Sequence, residues 1–117
     1  KKLLEKITHS AIREEINCRL RTSAAKHENA VVLDVPLLME SGIDGLCDIV
    51  WVVTTAKDVR IERISARDGI TKEEINARIN AQISDRERFA RADEIIDNSG
   101  DKEALYREIE RLIKKYV

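Results

Sequence analysis

No sign of charge dominates this sequence: 21 Lys and Arg stand against 22 Asp and Glu in 117 residues, a net charge of −1. That balance excludes a nucleic-acid binder driven by bulk charge, because neutralising phosphates takes a surplus of basic side chains. Long hydrophobic runs are missing too. No apolar stretch approaches the roughly 20 residues that span a bilayer, and the opening KKLLEKITHS lacks the apolar segment of a signal peptide. Cysteine is scarce. Cys18 and Cys47 stand far apart with no CxxC spacing and no His companion, which reads as two reduced, half-buried thiols of a cytosolic protein. The only methionine is Met39 and the chain opens on Lys1-Lys2, so the expectation is that these residues are part of a longer product. What is present is enough apolar material for a core, 43% of residues, in a length that fits one domain.

The apolar spacing then orders the chain. Leu3, Leu4, Ile7, Ala11, Ile12, Ile16 and Leu20 mark one stripe of an amphipathic helix running to about Ser23. Ala30 to Val35 is β-branched and apolar nearly throughout and closes at Pro36, which predicts a strand covered on both faces, as in a parallel sheet. Leu37–Gly42 reads as a short helical turn, and Asp48–Thr54 as a second buried strand with Trp51 in the core. Lys57 to Asp68 predicts a helix that Gly69 caps. Thr71-Lys72-Glu73-Glu74 and Ser84-Asp85-Arg86-Glu87 each have the form of a capping box and open two further helices. Ile95–Asn98 predicts a third strand, and Asp101 caps a final helix carrying Leu105, Ile109, Leu112, Ile113 and Tyr116. Strands alternating with helices imply parallel pairing and an α/β fold.

In open α/β sheets ligands gather at the C-terminal strand ends. Those ends carry Asp34-Val35-Pro36, Thr54-Thr55 and Asn98-Ser99-Gly100. A strand-end Asp holds a metal through water in nucleotide sites, although Asp before a proline turn is as often a cap. Between the second and third strands lie Arg60, Arg63, Arg67, Lys72, Arg78, Arg86, Arg88 and Arg91, seven of these eight being arginine. Arginine grips phosphate oxygens with a fork where lysine offers a point charge. Arg63 and Arg67 are four residues apart and share a helix face, and Arg78 and Gln82 repeat the spacing. For Arg60, Arg86 and Arg91 solvated ion-pair ladders are the better reading. For Arg63, Arg67 and Arg78 phosphate binding is, in the manner of a mobile lid. His9 has Arg13 four residues on but no second His or Cys cluster, so it makes no metal site. The sequence contains no Ser-His-Asp set, no Gly-rich dinucleotide loop and no GxxxxGK[ST] phosphate loop.

Six segments in order resemble the dephospho-CoA kinase family of P-loop kinases. His9-Ser10-Ala11-Ile12-Arg13 resembles H-P-x-I-R, with serine in place of proline. Asp34-Val35-Pro36-Leu37-Leu38-Met39-Glu40-Ser41-Gly42 resembles D-x-P-L-L-x-E-S-G, and Cys47-Asp48-Ile49-Val50-Trp51-Val52-Val53 resembles C-D-x-V-x-V-V. Arg63 to Gly69 resembles R-x-x-x-R-D-G, and Arg78 to Gln82 resembles R-I-x-x-Q. Arg88 with Ala92–Gly100 resembles R-x-x-x-A-D-x-V-I-D-N-x-G.

The resemblance implies a cytoplasmic transferase that uses ATP with Mg²⁺ to phosphorylate the ribose 3′-hydroxyl of dephospho-CoA, the last step of coenzyme A biosynthesis. It implies catalytic roles for Arg63 and for Asp34 at a Walker-B-like strand end, and phosphate or ATP contacts for Arg67, Arg78, Asn98 and Gly100. Substrate contacts fall to His9, Arg13, Leu37, Glu40 and Gln82, with no direct metal ligand and no tightly bound cofactor. The expected layout is one partial kinase domain: a helical substrate side over 1–29, core strands over 30–59, lid helices over 60–92, and the last strand and helix over 93–117. Three strands of an incomplete P-loop-kinase sheet are expected, flanked by helices. The family's phosphate loop is not among these residues, so the chain alone is expected to be inactive and to self-associate where a central strand is missing. The other readings are a fragment of another nucleoside or nucleotide kinase, or a non-catalytic dimerisation module; neither nucleic acid nor membrane is an expected partner.

Overall fold

Side-chain signals for helix ends are realised almost residue for residue in the second half of the chain. The computed structural model describes residues 2–117, which divide into two units, one reaching Cys47 and the other Asp48–Tyr116.

The first unit is led by helix α1 (Lys2–Ala25), none of whose residues is buried. The apolar stripe is present but largely uncovered: Leu3, Leu4, Ile7 and Ile12 are exposed, and Ile16 and Leu20 are half-buried. The turn Leu37–Gly42 forms as expected. Ser41 donates its N–H and its hydroxyl to the Leu37 carbonyl, and Gly42, at φ 75°, donates to the Met39 carbonyl. A single 3-10 turn (Ile43–Leu46) follows, with Met39 and Ile43 buried.

Two expectations fail here. Residues 30–35 form no strand, and the described sheet has two strands rather than three. A strand is a property of a hydrogen-bonded pair, and an apolar β-branched run signals only a tendency to be covered. Val32 is 87% exposed and only Leu33 and Val35 are half-buried, so this segment has no ladder and only partial cover among the described residues. Cys18 is exposed rather than half-buried, because it lies off the half-buried Ile16–Leu20 side of α1; Cys47 is half-buried as expected, its thiol 3.9 Å from the Ile43 carbonyl, and neither cysteine is in a disulfide.

In the second unit β1 (Trp51–Thr54) pairs in parallel with β2 (Glu94–Asp97), Val52 opposite Ile95 and Val53 opposite Ile96. Register partners in a parallel pair share a face. Val52 and Ile96 are buried while Val53 and Ile95 are about half exposed, so each face is covered only in part. Trp51 is likewise half-buried rather than fully in the core, its ring tilted against Tyr116 at 6.1 Å. The pair is locked at its entry by Asp93, whose carboxylate accepts the Val50 N–H at 2.7 Å.

Between the strands run α2 (Lys57–Asp68), α3 (Lys72–Asn80) and α4 (Asp85–Arg91). Gly69 ends α2 at φ 65°, a conformation that side chains with a Cβ resist. Thr71 and Ser84 cap α3 and α4 by accepting the Glu74 and Glu87 N–H groups. Asp101 accepts the Ala104 N–H and opens α5 (Lys102–Tyr116). Ile75 of α3 and Leu112 of α5 are fully buried.

Helix α5 is also fastened to β2 by charge. Glu94 accepts from the Lys115 ammonium and, at 2.8 Å, from the Tyr116 hydroxyl. These two hydrogen bonds, the Lys115 one foremost, hold the Glu94 carboxyl below the usual carboxylate range. The folded value being the lower one, this stabilisation is complete above the ordinary value of about 4.3 and fades as pH falls through the folded value. Thermal melts taken from about pH 7 down to about pH 3 should therefore show a falling midpoint. Glu94→Gln should lower the midpoint near pH 7 and flatten its acid-side dependence; an unchanged dependence would show that this carboxylate does not hold α5.

Candidate functional site

The C-terminal ends of β1 and β2 carry a loop organised by its own side chains. Asp97 closes β2 and accepts the Ser99 N–H at 2.9 Å, an Asx-type turn that bends the chain at Asn98. Hydrogen bonds from Ser99, through its side chain and then its backbone, hold the Asp97 carboxyl below its ordinary value. The Ser99 hydroxyl accepts the Ala56 N–H at 2.8 Å, and Asn98 N–H donates to the Thr54 carbonyl at 2.7 Å. The two strand ends are thus tied at the edge where parallel sheets bind ligands.

Arg63 of α2 completes this loop. Its Nη1 donates to the Asn98 carbonyl at 2.6 Å, and its Nη2 to those of Gly100 at 3.0 Å and Ser99 at 3.4 Å. The guanidinium therefore meets Asn98 and Gly100, for which the resemblance implies ATP contacts, while the side chain stays exposed. Nε has no acceptor among the described residues, so Arg63 fixes the loop and keeps donor capacity toward solvent.

A second arginine cluster lies where α2 meets α3. Arg67 grips Asp68 with Nε at 2.7 Å and Nη2 at 2.9 Å, and Arg78 Nη1 approaches the same carboxylate at 3.5 Å. The hydrogen bond from Arg67 is the main cause that lowers the Asp68 pKa, and its counterpart raises that of Arg67. Gln82 is exposed beyond α3, and its side-chain oxygen stands 3.5 Å from Arg88 Nη2. Arg88, half-buried, also pairs with Asp85 at 3.8 Å.

The substrate-side residues other than Gln82 fall in the other unit. Arg13 Nη2 reaches the Ser41 carbonyl at 3.4 Å, which joins α1 to the Leu37–Gly42 turn carrying Leu37 and Glu40. A side chain at position 42 would meet the same Arg13 nitrogen at 3.6 Å. His9, Asp34 and Glu40 are exposed and make no hydrogen bond or ion pair among the described residues. Asp34 follows an unpaired segment, so it does not end a strand of the described sheet as expected.

Sequence reasoning missed Asp68, Asp97 and Ser99. Asp68 was visible as the acid beside Arg67, and the D-x-S spacing of an Asx turn marked the other two. Among the described residues no group of three or more His, Cys, Asp or Glu converges, so they supply no ligand set for a metal. No described helix is long and apolar enough to cross a membrane.

The family model described as dephospho-CoA kinase matches residues 1–104. A protein of that name from Symbiobacterium thermophilum is 44% identical over 110 residues, covering 94% of this chain and 46% of its own. One from Corynebacterium efficiens is 39% identical over 115 residues, covering 98% and 58%. Among solved structures, a Thermus thermophilus protein superposes with a TM-score of 0.74 at 30% identity, covering 99% of this chain and 59% of its own. Dephospho-CoA kinase from Campylobacter jejuni gives 0.71 at 32% identity, covering 98% and 57%. The chain thus spans about half the length of the relatives it matches.

Proposed function

The chain belongs to the dephospho-CoA kinase family, and on that premise we propose that it supplies the lid and base-side loop of an enzyme that moves the γ-phosphoryl group of ATP to the ribose 3′-hydroxyl of dephospho-CoA. In that reaction the new bond joins the 3′-oxygen to phosphorus, the 3′-hydroxyl proton is released to solvent, the bridge to the β-phosphate breaks, and ADP leaves with the electron pair. Positioning and neutralisation of spread charge do most of the work in such transfers.

Each named residue takes a part in this reading. Arg63 steadies the Asn98–Gly100 loop against the adenine side and offers its remaining donor to the transferred group. Arg67 and Arg78 hold the polyphosphate. Arg13 with Leu37, Glu40 and His9 receives dephospho-CoA, Gln82 lies beside it, and Asp34 is the Walker-B-like carboxylate. Mg²⁺ carried with ATP would add charge neutralisation when bound. The proposed layout keeps residues 60–92 as the lid of one partial kinase domain working in the cytoplasm. Having no glycine-rich phosphate loop, the 117 residues alone should not turn over. Self-association belongs to the same proposal, since one edge of each strand lacks a strand partner among the described residues.

The observation that carries the reading is Arg63 bound across three carbonyls at the ligand edge of a parallel pair. Calorimetric titration of the chain with ATP tests it. Losing a charge-assisted bond costs about 1.5–3 kcal/mol, so Arg78→Ala should weaken binding by roughly tenfold or more. Arg19→Ala, which removes an exposed pair with Glu15 on α1, should not. Equal effects from both, or no ATP binding at all, would refute the assignment.

A further inference from the structure

Resting on the reading of Arg67 and Arg78 as phosphate ligands, we propose that Asp68 is a positioning residue: its carboxylate holds the two guanidiniums, from different helices, as one prepared pair for a polyphosphate. The arrangement puts the anion inside and the cations outside. The Asp68 side chain is 27% exposed, against 73% for Arg67 and 63% for Arg78. Arg67 is gripped along its Nε–Nη2 edge, so both N–H groups of Nη1 and one of Nη2 stay on the outer edge. Arg78 touches the carboxylate through Nη1 alone, at a longer 3.5 Å, and keeps its other donors.

Two features of the local fold point the same way. Asp68 is the last residue of α2, where the helix dipole disfavours a carboxylate, so it sits there without helix-end benefit. Arg67 in that last turn and Arg78 in the last turn of α3 offset the misplaced charge. Gly69, at φ 65°, turns the chain between α2 and α3 and brings them into reach of one acid. Asp68 thus joins Arg67 and Arg78, eleven apart in sequence, into a unit with one excess positive charge.

An anion between the two arginines also repels the phosphate it prepares for, and magnitudes decide which effect wins. Ordering a long side chain in advance is worth roughly 2- to 10-fold in affinity for each arginine. Repulsion between exposed charges about 7 Å apart, screened at physiological salt, is worth less than about twofold per unit charge. For an anion of about three charges that becomes roughly three- to fourfold, against roughly 4- to 100-fold for ordering both arginines. Preparation wins for a pair of arginines facing the terminal phosphates of a nucleotide.

Inorganic pyrophosphate is the probe, titrated calorimetrically into the 117-residue chain and its variants, with circular dichroism melts to verify folding. Asp68→Asn keeps the side-chain size and should weaken binding by roughly 3- to 10-fold, with Asp68→Glu recovering part of the loss. In an Arg67→Ala, Arg78→Ala background Asp68→Asn should have no further effect, which a general loss of packing would not produce. If the arginine variants weaken binding while Asp68→Asn leaves it unchanged or tightens it, the positioning role is refuted and phosphate recognition stands. If the arginine variants change nothing, or the unaltered chain binds no pyrophosphate, both fall together.

Discussion

Replacing Arg63 with alanine should lower kcat/KM by at least about 100-fold in an enzyme made by joining this chain to the remaining part of the Symbiobacterium thermophilum relative. Arg63 hydrogen-bonds the carbonyls of Asn98, Ser99 and Gly100, so its removal frees the loop from α2 and deletes a cation from the ligand edge. The loop keeps its Asx turn at Asp97 and the Ala56–Ser99 bond, and it should therefore lose precision rather than unfold. Arg63→Lys offers one point donor where three carbonyls are spread along the chain, and it should recover only a minor part of the activity. The side chain is exposed, so the melting midpoint should move little, which separates a site effect from a folding effect. A loss below about fivefold would remove Arg63 from the reaction.

The largest stability effect is expected at Leu112, which is fully buried on α5. Leu112→Ala removes three buried carbons and leaves a cavity, which should cost about 2–5 kcal/mol. Domains of this size are stable by roughly 5–15 kcal/mol, so a large part of the total would go. The urea midpoint should drop with little change of slope. Ile113, the next residue, is 46% exposed, and Ile113→Ala should cost well under half as much. Equal costs at the two positions would mean that α5 does not pack as described.

What was legible in the sequence follows from how local each signal is. Gly69, Thr71, Ser84 and Asp101 act within one turn of their own position, and each ends or starts a helix where the sequence placed it. The parallel strands at Trp51 and Glu94 were legible from apolar runs bounded by helices. Residues 30–35 carried as strong a run, yet a strand needs a partner that the run itself cannot name. Exposure of Leu3, Leu4 and Ile7 was hidden for the same reason: a stripe states that a face is apolar, not what covers it. The spacing singled out Arg63, Arg67 and Arg78 but not their partners. The carbonyls that Arg63 meets come from beyond β2, and carbonyls leave no mark in a sequence. Asp68 was read as part of a motif when its carboxylate in fact joins two helices.

The most direct test of the account follows phosphorus in that joined enzyme, with ATP and dephospho-CoA as substrates and both products identified by mass and phosphorus NMR. ADP and a product carrying one new phosphate on the ribose 3′-oxygen should form one for one, with no ADP released when dephospho-CoA is left out. ADP release that ignores dephospho-CoA, or transfer of the phosphate to a nucleoside monophosphate instead, would contradict it.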